Sequence, residues 1–71
     1  MGLINGSSLY ITGKNLQARI EGLAKDARDA KAQAQGLGKD YQFTNEVTMA
    51  SQIIIDAAAK ANAYLNKVKL R

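Results

Sequence analysis

The side chains that could do covalent chemistry are few and poorly grouped. Nucleophilic catalysis by a triad needs a base beside the nucleophile, and this chain has no His, no Cys and only scattered Ser. Its six acids are dispersed, so they form neither a calcium-loop pattern nor a carboxylate pair in a cleft. The stretch Gly36-Leu37-Gly38-Lys39-Asp40 has glycines and a lysine but neither the spacing nor the preceding strand of a phosphate loop. Tyr41, Phe43 and Tyr64 could stack on nucleic-acid bases, although Phe43 and Tyr64 fall on a helical seam where packing is the plainer role. The expectation is a non-enzyme with no cofactor, no metal and no small-molecule substrate.

Charge narrows the partners further. The net charge is +4, and residues 1–35 and 36–71 each carry five bases and three acids. The asymmetry is local, with Lys67, Lys69 and Arg71 crowding the last five positions. Such a patch can meet nucleic acid, anionic lipid or an acidic surface, or merely complement the negative end of a helix. On α1 the bases Lys14, Arg19, Lys25, Arg28 and Lys31 alternate with acids, which argues against a phosphate-tracking face.

The elements that hold these residues are helical. Seventy-one residues make one domain, there is no Pro, and Ala, Lys and Gln are abundant. The reading is an all-α antiparallel hairpin: an N-terminal arm over 1–7, helix 1 over 8–35, a Gly-rich turn over 36–40 and helix 2 over 41–70. In helix 1, Leu9, Gly13, Leu16, Ile20, Leu23, Ala27, Ala30, Ala34 and Leu37 recur at alternating steps of four and three, the spacing of a helix–helix seam. In helix 2, Phe43, Val47, Ala50, Ile54, Ala57, Ala61, Tyr64 and Val68 do the same. The intrahairpin seam is therefore expected to join Leu16, Ile20 and Leu23 to Phe43, Val47, Ile54 and Tyr64.

Helix 2 has apolar residues left over. Ile53, Ile54 and Ile55 point in three directions, and Ile55, Ala58 and Leu65 form a second stripe with Ala59 and Ala63 beside it. One partner helix cannot cover all of this, and exposed apolar surface of that extent marks a partner site. Ile53, Ile54, Ile55, Ala58, Ala59, Leu65 and Val68 are the expected contacts between copies. Staples other than assembly are excluded for a chain this short by the absence of Cys and His. An isolated hairpin with an Ala-rich seam balances ordering entropy against burial near zero, so assembly is expected to complete the fold. No apolar run approaches a membrane span, and residues 1–10 lack the basic start and apolar core of a secretory signal.

In size and architecture the chain resembles the filament subunits of type III secretion systems, the needle proteins and the small pilins of plant-associated bacteria. The residues that carry the resemblance lie in 41–71: an aromatic, Gln- and Asn-containing helix start (YQFTNEVT), an aliphatic centre (QIII) and a basic end (NKVKLR). Needle proteins of animal pathogens have a Pro-containing turn, where this chain has GLGKD, and helix 1 has no needle signature. The resemblance implies a secreted subunit exported without a cleaved leader, polymerising into a hollow helical tube on the bacterial surface. Its C-terminal helix would bound a lumen that carries unfolded protein cargo, with Lys67, Lys69 and Arg71 as candidate lumen-lining residues. Export apparatus and chaperones would be further partners. The competing expectation is a closed oligomer, two hairpins making a small basic four-helix bundle that binds nucleic acid or a protein.

Overall fold

A computed structural model describes residues 6–69 and contains two α-helices, α1 over Gly6–Leu37 and α2 over Thr44–Leu65. They pack along one another as the expected all-α hairpin. Their antiparallel sense follows from the side-chain bonds between them: Gln17 reaches Asn66, and Lys31 reaches Gln52. At about 1.5 Å per residue, the 32 residues of α1 run about 48 Å. That length nearly fills the 52 Å long axis of a molecule only 14 Å through its thinnest direction. The hairpin is a plate one helix thick.

The helix bounds differ from those expected. Gly6 and Ser7 are helical rather than part of an arm, and α1 continues to Leu37. The rest of the expected arm, residues 1–5, lies outside the described residues, as do Leu70 and Arg71. At the turn, Gly38 takes φ 91°, a conformation closed to most residues with a Cβ. The Tyr41 amide then donates to the Gly38 carbonyl at 3.3 Å, and the Thr44 amide to that of Tyr41. Neither Asp40 nor Thr44 caps α2. Phe43 occupies the N-cap position without a side-chain bond, and Glu46 lies in the first turn where the helix dipole favours it. The helix proper ends at Leu65, five residues before the expected end. Asn66 and Lys67 turn the chain, and Val68 covers Gly13, where an added Cβ would lie 3.3 Å from Val68 Cγ1.

The intrahairpin seam is rotated from the expected one. On α1 the buried residues are Gly13, Ala24, Ala27 and Ala34, with Gln17, Ile20 and Lys31 half-buried between them. The 4–3 spacing is kept through Gly13, Ile20, Ala27 and Ala34, with Gln17 and Ala24 in place of Leu16 and Leu23, and with Lys31 half-buried beside half-buried Ala30. On α2 most seam positions move by one residue. Buried or half-buried Thr44, Thr48, Ser51, Ile55, Ala58, Asn62 and Leu65 face α1, in place of exposed Phe43, Val47, Ala50, Ala57 and Tyr64, while the expected Ile54, Ala61 and Val68 remain half-buried. The physical reason is size. Gly, Ala and Ser take the fully buried positions, larger Ile20, Ile55 and Leu65 are only half-buried there, and Leu16, Leu23 and Phe43 are left outside. No large side chain is fully buried among the described residues, and the buried apolar set is four alanines.

Three substitutions test this seam. Ala27 is 5% exposed, so Ala27→Leu overpacks it and should cost about 1–3 kcal/mol in urea unfolding followed by circular dichroism. Gly22 lies mid-helix and a Cβ there meets nothing within 4 Å. Gly22→Ala should therefore gain about 1 kcal/mol from helix propensity alone. A seam built on Leu23 would bury Ala27 as well, so Ala24→Leu at 7% exposure separates the registers, costly in this seam and harmless in that one.

Candidate assembly surface

The rotation decides what the surface carries. Leu9, Leu16, Leu23 and Leu37, in register with Ala30 at steps of seven, form a stripe along one flank of the α1 seam, and all four leucines are exposed. On α2 the matching flank is Val47, Ile54, Ala61 and Val68. Phe43, Ala50, Ala57 and Tyr64 lie farther round. Both flanks open on the same side of the plate, because Ala30, Ala34, Leu37, Phe43 and Val47 line one groove of about 230 Å³ beside the turn. One face of the hairpin is thus largely apolar across both helices. Leu23 is 53% exposed on it and Phe43 63%.

The opposite face is polar, and its side chains tie the helices together. Lys14 Nζ donates to Gln17 Oε1 at 3.3 Å, and Gln17 Nε2 to Asn66 Oδ1 at 2.6 Å. Nearer the turn, Lys31 Nζ donates to Gln52 Oε1, and Gln52 Nε2 to Asp56 Oδ1 at 2.9 Å. These bonds fix the axial register of two helices whose seam is otherwise smooth.

A second apolar region faces sideways. Ser51 marks the seam direction, and residues advance about 100° per position, so Met49 and Ile53 point away from α1 along the outer edge of α2. Ile53 is 67% exposed and Met49 is exposed with it. Ile11 is exposed on the outer edge of α1.

The residues expected to join copies thus divide. Ile55, Ala58 and Leu65 belong to the intrahairpin seam and are not offered to another molecule, with Ala58 buried there. Ile53 is on the outer edge, Ile54 and Val68 on the apolar face, and Ala59 is exposed beside the polar side. Of the expected seam residues, Ile20 is half-buried between the helices, while Leu16, Leu23, Phe43, Val47 and Tyr64 are on the surface. Lys67 and Lys69 are exposed beyond the end of α2, with Lys67 Nζ 5.5 Å from the Tyr64 ring centroid. Arg71 lies outside the described residues.

Phe43 is the one residue other than glycine with positive φ, at 69°, among those described. A bulky residue in this region is strained by about 1–2 kcal/mol, and its ring is directed to the surface rather than into the hairpin. Sequence reading missed this, because a left-handed N-cap is marked by Gly, Asn or Asp and here none of them is present.

The fold and surface define a small all-helical hairpin with an apolar face. No family model matches the chain, and no curated protein or solved structure matches it either. Among the described residues no helix is long and apolar enough to cross a membrane.

Phe43→Gly removes the strain without touching the seam. The dilute hairpin should gain about 1 kcal/mol, read as a raised midpoint in thermal circular dichroism. An unchanged or lowered midpoint would mean that the ring supports the hairpin itself.

Proposed function

We propose that the chain is a structural subunit that polymerises into an open helical filament, and that the filament is the extracellular needle or pilus of a type III secretion system, a conduit for unfolded protein. The observation that carries the polymer is exposed apolar surface in two directions. The face through Leu16, Leu23, Val47 and Phe43 and the edge through Met49 and Ile53 cannot both be covered by one flat partner. Contacts that use different patches on the two copies give filaments wherever their rotation does not close a ring. A core of four alanines supports the same reading, since a plate this thin gains by acquiring neighbours. The finer assignment to type III secretion rests on the resemblance in size, hairpin architecture and the 41–71 pattern. Under it, the polar face and the exposed Lys67 and Lys69 supply wetted surface past which cargo slides.

A second reading is favoured by the flatness of the apolar face. Two hairpins closed face to face would make a four-helix bundle, basic overall, able to hold nucleic acid or a protein. It would leave Ile53, Met49 and Ile11 in water.

Negative-stain electron microscopy and sedimentation velocity of the full chain separate the two. The filament reading expects fibres from the unmodified protein, small species from Leu23→Asp, and arrest at a discrete oligomer for Ile53→Asp. A wild-type protein that stops at a dimer or tetramer would sink it in favour of the bundle, and fibres that persist with Ile53→Asp would overturn the role of the outer edge.

A further inference from the structure

The two sequence halves are balanced in charge, but the hairpin is not balanced along its axis. Folding brings the start of α1 beside the end of α2, and at this open end Lys14, Arg19, Lys67 and Lys69 gather with no acid before Glu21 or after Asp56. Arg19, Lys67 and Lys69 are exposed and Lys14 is half-buried. At the other end the turn and the first turn of α2 hold Asp40 and Glu46 against Lys39, and all three are exposed. The protein's net positive charge is thus concentrated at one end of a 52 Å plate, and the other end is weakly acidic.

The grooves at the ends differ in charge as well. The one at the turn end is uncharged, lined by Ala30, Ala34, Leu37, Phe43 and Val47 together with Gln33, Gln42 and Thr44. The open end has a groove of different lining, Lys60, Ala63, Tyr64 and Lys67, and it presents Leu9 and Ile11, both exposed, next to its bases.

We infer that the partner at each end is a second copy placed head to tail, the basic open end of one hairpin meeting the acidic, grooved turn end of the next. This rests on the self-assembly reading and specifies its polarity. Open end against open end would set four cations against four, and like charges at a contact are strongly disfavoured. Turn end against turn end would leave the open ends unmatched. Only the head-to-tail order sets a cationic end against an acidic one at every junction, and that order cannot close between two copies lying end to end.

Charge-swapped copies of the full chain test this. The double variant Lys67→Glu/Lys69→Glu is weakened in cation at its open end while keeping its acidic turn. Asp40→Lys/Glu46→Lys is basic at both ends. All four side chains are exposed outside the seam, and circular dichroism of each variant checks that the helices persist. Each variant alone should need roughly tenfold or more protein than wild type to form fibres at ~50 mM salt. An equimolar mixture should polymerise near the wild-type threshold, with the two variants present in equal amounts in pelleted fibres.

If each variant alone polymerises like wild type, or the helical variants fail both alone and mixed, head-to-tail pairing is overturned while self-assembly stands. If wild type forms no polymer under any salt condition, both readings fall. Should a reversal cost helicity, Lys67→Gln/Lys69→Gln and Asp40→Asn/Glu46→Gln replace it. Fibre thresholds of these neutral pairs must rise and lose their dependence on salt between ~50 and ~500 mM. Thresholds that stay at the wild-type value overturn the inference.

Discussion

Two helices approach closely only where both present small side chains, and everything else about this hairpin follows from that contact. Ala24, Ala27 and Ala34 on one helix and Ser51 and Ala58 on the other are its buried residues, and Gly13 lies under Val68. Such a seam removes little apolar area from water, because the residues buried in it have little to remove. Ile20, Ile55 and Leu65 are half-buried there, and most of the other large apolar side chains gather on one face and one edge. The usual relation of a small domain, bulky residues inside and small ones anywhere, is reversed. What would be a core in a self-sufficient protein is here a surface.

The polar tethers on the opposite face complete this division. A smooth seam of alanines resists separation but not sliding, since each small knob resembles the next. Gln17 with Asn66 and Lys31 with Gln52 supply directional bonds that a shifted register would break. They are surface bonds, each contributing modestly, and their value lies in selecting one alignment. The apolar face is then presented in a single arrangement, a precondition for any repeating contact.

Much of this was legible in the sequence, and the part that was not has a definite cause. Helix content, the turn at Gly38, the hairpin and the surplus of apolar residues on α2 all follow from composition and spacing. The seam was misplaced by one residue on α2 and by half its positions on α1. Periodicity weights residues by hydrophobicity, so Leu16, Leu23, Phe43 and Tyr64 attract the seam. Both registers have the same 4–3 steps, and only close packing distinguishes Ala24 from Leu23 or Ala58 from Ala57. The surplus stripe was correctly sensed but assigned to Ile55, Ala58 and Leu65, which face α1, while Phe43, Val47, Met49, Ile53 and Tyr64 are the exposed set. The charge asymmetry was hidden for another reason. It exists only after folding places residues 14–19 next to 67–69, and no division of the linear chain into halves reveals it.

The 14 Å thickness has a consequence for the time the backbone spends protected. In a plate one helix deep no peptide group has a second layer above it, so opening of either helix exposes amides directly to solvent. Local opening and global unfolding then converge in free energy for a solitary hairpin. Slow amide hydrogen exchange in such a molecule would have to be conferred by the molecules packed against it, and the exchange pattern would outline their footprint more faithfully than it would the hairpin's own core.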